Sequence, residues 1–411
     1  MKFLKLSKQI LILPLFLSGA VFSSIQIIQP SSNAYEEIQE ALILAKPGDV
    51  IRLTAGTFIL EDSLSLDVDN IQIEGEGMHQ TILDFKNQKS GAQGLSVTSD
   101  NVTLQDFSIH DANGDAIKVK GVENIKFLRV KTEWTNGPDP RNGAYGLYPV
   151  ESKNVLIDGC VAIGASDAGI YVGQSQNIII RNSRAEYNVA GIEVENSYYA
   201  DVYNNIATHN TGGILVFDLP GLPQQGGHNV RVFNNKSINN NTPNFAPEGN
   251  IVGEVPSGTG IIIQANSDVE IFDNLIGENG TVNIAIVTYS SDFEDKKYYP
   301  HPKSIQIHNN QFGRTGFKPD TSKGELAQIL FDLSNGDMPD IFWDGIVPLT
   351  QIFFGQPEGE KLIISNNENA SILAINPIKF MLPFFNPAIT DISEYDGVIK
   401  PLPKVVFNEN F

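Results

Sequence analysis

Ten times along this 411-residue chain a short segment recurs in which an Asn-like residue opens a run of alternating apolar positions. The opening residues are Asp49, Asn70, Asn101, Asn124, Asn154, Asn177, Tyr199, Asn229, Asp268 and Ser304. The cleanest steps are 23 residues (101 to 124), 23 (154 to 177) and 22 (177 to 199). A fixed period of roughly 20–50 residues marks a stacked-repeat architecture, in which each unit buries its apolar face only against its neighbours.

Within a unit the alternation is that of a β-strand, as in Asn177-Ile-Ile-Ile-Arg-Asn182 and Asn229-Val-Arg-Val-Phe-Asn234. A second strand of the form Gly-Ile-x-Val follows, as in Gly169-Ile-Tyr-Val172, Gly191-Ile-Glu-Val194 and Gly213-Ile-Leu-Val216. No 3.6-residue periodicity lies between them. The spacing therefore predicts an all-β, single-stranded, right-handed parallel β-helix of about ten or more coils. Asn182, Asn204, Asn234, Asp273 and Asn309 recur five residues after their anchors, and Asn205, Asn235, Asn274 and Asn310 follow them. Stacked coils would turn these positions into amide ladders at a corner, a structural role with no chemistry.

Three parts are expected. Residues 1–34 read as a signal peptide: Lys2, Lys5 and Lys8 precede an apolar run from Ile10 to Val21, and Ser32-Asn33-Ala34 is a small-residue cleavage site, with the cut near Ala34 or somewhat earlier. Residues 35–317 form the β-helix, its open N-terminal end capped by an amphipathic helix over Tyr35–Ala45. Residues 318–411 hold further coils and an irregular cap, with the apolar stretch Ile378–Pro387 plugging the end. The chain is expected to be exported, periplasmic or secreted, with no transmembrane anchor once the signal is removed.

A net charge of −20 disfavours nucleic acid as a partner. Between Lys118 and Lys153, seven basic residues outnumber four acidic ones, a zone able to hold an acidic ligand. The single Cys160 excludes an intramolecular disulfide and sits at a small inward position. The six histidines lack paired metal spacing, so neither metal nor cofactor is expected.

In the Gly-Ile-x-Val strands Ile and Val face inward, which leaves two outward columns. The first reads Lys118, Tyr148, Tyr171, Glu193, Leu215, Ile262; the second reads Lys120, Val150, Gly173, Glu195, Phe217, Gln264. Tyrosine faces suit sugar rings, and Lys and Glu bind or transfer protons. Long loops at 133–144, 218–228, 242–258 and 290–303 flank this strand on both sides and are expected to wall a groove along it. Lys118, Tyr145, Tyr148, Tyr171 and Glu193 should then converge in one open cleft.

The stretch Gly143-Ala-Tyr-Gly-Leu-Tyr-Pro-Val-Glu-Ser152, with Asn154–Ala162 and Asp167-Ala-Gly-Ile-Tyr-Val172, resembles the catalytic region of mannuronan C5-epimerases, and more broadly the carbohydrate-binding and sugar-hydrolase β-helix repeats. The resemblance spans roughly residues 140–240. Tyr145, Gly146, Pro149 and Glu151 match its motif; the family's aspartate and histidine fall on Tyr148 and Val150, and its Arg-His pair falls near Asn188-Val189. The resemblance implies Tyr145 as a proton-transfer group. Lys118, Lys120, Tyr148, Glu151, Tyr171, Glu193, Glu195 and Phe217 are the candidate substrate contacts. The expected function is polysaccharide binding, with lyase- or epimerase-like processing left open. The alternative is a non-catalytic structural or partner-binding protein of the cell envelope, its protein partner unknown.

Overall fold

A computed structural model describes residues 23–382 and 384–407. The apolar run that suggests a signal peptide lies outside the described residues. The chain winds into a parallel β-helix with three long sheets. The first has twelve strands, from Ile25–Ile28 to Ile363–Ser365; the second has ten, from Gly56–Ile59 to Gln311–Phe312; the third has twelve, from Leu64–Leu66 to Ala388–Ile389. Only the last pair in the third sheet is antiparallel.

Inward residues of all three sheets form one core along the axis, with Ile125, Phe127, Val155, Ile157, Ile178 and Ile180 fully buried. Each such side chain contributes roughly 1.5–3 kcal/mol. The glycine of the Gly-Ile-x-Val strand answers to close approach: a Cβ on Gly146 would lie 2.4 Å from the Gly169 carbonyl oxygen of the next coil, and one on Gly213 would lie 2.4 Å from that of Gly260.

The repeat's anchor has a backbone cause. Nine of the ten anchor residues, Asn70 to Ser304, have φ between 50° and 66°, in the left-handed region. Only Gly and short polar residues enter that region at low cost, which explains the recurring Asn. At the other end of the strand Asn182, Asn204, Asn234, Asp273 and Asn309 are left-handed too. The following residue turns inward. Asn205 donates to Asn235 Oδ1 at 3.0 Å, Asn235 to Asn274 Oδ1 at 3.1 Å, and Asn274 to Asn310 Oδ1 at 2.9 Å. A second internal ladder, Asn188–Asn210–Asn240–Asn279, has no counterpart in the expected corners.

Helix α1 (Ala34–Leu44) caps the N-terminal end with Ala34, Ile38, Ala41 and Leu42 buried. The fold begins ahead of it: strand Ile25–Ile28 pairs with Val50–Leu53, and Ser24 bonds Asp49 Oδ1 through both its N–H (2.8 Å) and its hydroxyl (2.7 Å). At the other end the third sheet continues through Ile341–Trp343 and Ile372–Ile375, with helix α2 (Gly324–Ser334) before them, α3 (Leu349–Phe354) between them and α4 (Pro377–Phe380) after them. The expected plug at 378–387 is not one. Ile378, Phe380, Met381, Leu382, Phe384 and Phe385 are all exposed, because the last coils are closed instead by Tyr395 and the strand pairing of Ala388–Ile389. The tail turns back along the first sheet, where Lys400, Leu402 and Val405 bond Gln306, Glu270 and Asp201. No helix among the described residues is long and apolar enough to cross a membrane.

Candidate functional site

The outward columns run in register as the repeat requires. Lys118 pairs with Tyr148, Tyr171 with Glu193, Glu193 with Leu215 and Leu215 with Ile262; Lys120 pairs with Val150, Gly173 with Glu195, Glu195 with Phe217 and Phe217 with Gln264. A third column starts each strand and places Tyr145 beside Ala168.

At the open end these columns build an aromatic cluster. Tyr145 stacks on Tyr148 with ring centroids 4.3 Å apart, and Tyr171 lies 4.7 Å from Tyr145 and 5.0 Å from Tyr148. The Lys118 ammonium sits 5.1 Å from the Tyr148 ring and 3.7 Å from Asp115 Oδ2. Lys120 and Glu151 pair with each other at the rim, 3.4 Å apart. Lys118, Tyr145 and Tyr148 are half-buried and Lys120 is exposed.

Behind the tyrosines the face closes. Tyr171, Glu193, Glu195 and Phe217 are all buried. Loop 242–258 lies over this face: Asn250 donates to Asp167 Oδ2 at 3.4 Å, and Val252 and Val255 join an apolar cluster with Tyr171, Leu215, Phe217 and Ile262. Leu330 of α2 extends the same cluster over Ala285, Phe342 and Leu373, the next rungs of the first column. Loops 218–228 and 290–303 lock together, with the Tyr298 hydroxyl donating to the Asp218 carbonyl and Gln225 to Asp295. Thus the expected open, walled groove is a covered face beyond Tyr148. The physical reason was present in the column itself: Leu215, Ile262 and Phe217 are apolar at outward positions, and such a face is stable only when something packs on it.

The cover encloses three carboxyls. The Tyr171 hydroxyl donates to Glu195 Oε1 at 2.7 Å, the Tyr145 hydroxyl lies 3.3 Å from Asp167 Oδ2, and Glu193 Oε2 is buried with no hydrogen-bond partner. Burial, reinforced by the neighbouring Glu195, pushes Asp167 up to about 7. Burial, with Asp218 adding to it and the Tyr171 bond opposing it, pushes Glu195 up to about 7. Burial and then the charges of Asp167 and Glu195 hold Glu193 well above the usual carboxylate range. Like charges enclosed together cannot all ionise, so near neutral pH the cluster keeps some of its protons.

Tyr145 is not poised as a base. Burial and then Asp167, Glu193 and Glu195 push its hydroxyl far up, and Tyr148 is pushed up to about 12 by burial and Asp115. Five of the seven residues of the basic zone are paired: Lys118, Lys120, Arg129, Lys131 and Arg141 with Asp115, Glu151, Asp106, Glu133 and Asp139 in turn. Cys160 is fully buried, and burial holds its thiol up at about 12, too high for a nucleophile. Among the described residues no group of His, Cys, Asp or Glu is arranged to hold a metal ion.

Sequence reasoning missed Asp167, Asp115 and Asn250. Asp167 opens the segment Asp167-Ala-Gly-Ile-Tyr-Val172 and Asp115 opens Asp115-Ala-Ile-Lys-Val119. Asp115 starts its strand level with Tyr145, and Asp167 stands one residue ahead of Ala168, the partner of Tyr145; those places were the available signal. Asn250 arrives from a loop 83 positions from Asp167, and no local pattern points to it.

A family model described as right-handed β-helix region matches residues 69–221, which fixes the hand of the coil. No curated protein matches the sequence. Among solved structures, the chain is similar to the A-module of a mannuronan C-5 epimerase from Azotobacter vinelandii, at 14% identity and a TM-score of 0.52, covering 83% of this chain and 91% of that one. It is also similar to the tailspike protein of E. coli bacteriophage HK620, seen as a double mutant in complex with a pentasaccharide, at 11% identity and a TM-score of 0.53. That match covers 84% of this chain and 62% of the tailspike chain. These are likenesses of fold, and fold alone does not assign chemistry.

Proposed function

We propose that this chain binds a polysaccharide against Tyr145 and Tyr148 and hydrolyses it by acid–base chemistry of Asp167, Glu193 and Glu195. One observation carries the reading: three carboxyls share an enclosed site directly behind a tyrosine platform, on a column where the next rungs are Leu215 and Ile262. An apolar residue would serve the fold better at position 193. Groups that cost stability and have displaced pKa values concentrate at functional sites. Glycoside hydrolysis asks for a protonated carboxyl to donate to the leaving oxygen and an ionised one to activate water or attack carbon, and a cluster that keeps part of its protons near pH 7 supplies both.

The same charges speak against a uronate substrate. Asp115, Glu151, Asp167, Glu193 and Glu195 surround the tyrosines, while Lys118 and Lys120 are already paired. An epimerase or lyase must stabilise an anion next to a carboxylate, and this site has no cation to spare for one. The substrate is therefore an uncharged glycan. Its entry requires loop 242–258 to swing away from Asp167, breaking the Asn250 contact and uncovering Tyr171. Export stays part of the proposal, with the signal cut ahead of Ser24, because Ser24 and Ile25–Ile28 belong to the first coil.

The test is a panel of neutral and acidic polysaccharides scored for binding and for new reducing ends. Release from a neutral glycan, lost in Glu193→Gln and Asp167→Asn, supports the reading. Binding without release, lost in Tyr148→Ala, leaves a binding module; no binding to any glycan removes the reading.

A further inference from the structure

The strands Ile341–Trp343 and Ile372–Ile375 pair side by side in the last rungs of the third sheet, with Trp343 opposite Ala374. Each is followed by an excursion from the same edge. The two excursions start in contact, since a Cβ on Gly345 would lie 1.7 Å from the Ile375 carbonyl oxygen. Both end in apolar tips: Phe353 and Phe354 are 73% and 90% exposed on the first, and Phe384 and Phe385 are 94% and 59% exposed on the second, with Phe380 and Met381 exposed at its base. The tail does not cover them, because it runs back along the first sheet to Asp201.

We propose that these two tips dock the C-terminal end of the β-helix on the surface of a lipid bilayer. Charge selects this occupant. In a chain of net charge −20, residues 345–357 hold no charged side chain and residues 369–390 hold only Lys379. The acids that follow the first segment are themselves paired, Glu358 with Lys361 and Glu360 with Lys303, so the tips can approach a bilayer, and exposed Lys379 is placed to meet a lipid phosphate. Shape agrees. The four rings are more than half exposed, and a fluid acyl region accepts such rings without a complementary surface. The remaining negative charge opposes anionic lipid, so a zwitterionic bilayer is the better surface.

The experiment is co-sedimentation of the full chain with phosphatidylcholine vesicles, with and without added phosphatidylglycerol, alongside size measurement without lipid. The variant combines Phe353→Ser, Phe354→Ser, Phe384→Ser and Phe385→Ser; since all four side chains are exposed, its melting temperature should match the parent's. The proposal expects binding to phosphatidylcholine vesicles that rising salt does not weaken and that falls at least tenfold in the variant. No vesicle binding overturns it. So does binding confined to anionic vesicles and lost at high salt, or self-association without lipid that the variant abolishes, which would make the tips a contact between copies.

Discussion

Replacing Glu193 by leucine should make the protein more stable while removing its activity. Glu193 is 1% exposed and its Oε2 has no partner. An unsatisfied buried polar atom costs roughly 1–3 kcal/mol, and a leucine at this place loses that cost without needing new space, because Leu215 fills the same position one coil further on. With an unfolding entropy of about 2.1 cal/mol/K per residue over a chain of this size, each kcal/mol raises the melting temperature by about 1 °C, so the gain is about 1–4 °C at pH 7. The pH dependence sharpens the argument. Asp167 and Glu195 are raised from 3.8 and 4.5 to about 7 in the fold. Their unfolded forms ionise first, so stability is fully present below about pH 4 and is lost as the pH rises through 7. Burial and the neighbouring acids hold Glu193 itself well above its usual range, so it adds its own loss over the same window; the leucine variant lacks that contribution and should lose less stability there. Scanning calorimetry from pH 4 to 8 on both proteins, with a glycan-hydrolysis assay beside it, measures both effects. A Glu193→Leu protein less stable than the parent, or one with an unchanged pH slope, would refute the reasoning.

Tyr148→Ala should weaken glycan binding at least tenfold with little change in melting temperature, because its ring is half-buried at the open edge; equilibrium binding and calorimetry decide this. Asn250→Ala removes the loop's hydrogen bond to Asp167 and should raise turnover while leaving the melting temperature nearly constant, and steady-state kinetics would show it. Asn235→Ala breaks a buried ladder amide that donates to the Val202 carbonyl and to Asn274 Oδ1 and accepts from Asn205, so it should cost roughly 2–4 kcal/mol in denaturant unfolding.

The fold was legible because its determinants are local and repeated. Six of the nine left-handed anchors are Asn, and the Gly-Ile-x-Val strands between residues 146 and 216 meet their copies 22 or 23 residues on, so period and register follow from the chain alone. The capping helix was readable for the same reason, its apolar positions lying on one face. The site was half legible. Register placed Lys118, Tyr148, Tyr171 and Glu193 in one column, but burial depends on what lies over the column, and that comes from residues 242–258 and 324–334. Leu215, Phe217 and Ile262 announced the cover without saying which segment supplies it. Ile378–Pro387 shows the opposite limit: an apolar composition reads as buried until the fold shows that the last coils are already closed.

Whether the enclosed carboxyls hydrolyse an uncharged glycan is decided by the products formed from the polysaccharide panel. New reducing ends are expected from a neutral glycan, with no rise in ultraviolet absorbance from unsaturated uronates. Unsaturated products from an acidic glycan would contradict it, since they require proton abstraction next to a carboxylate that five surrounding acids and a tyrosine with a raised pKa are unfit to support.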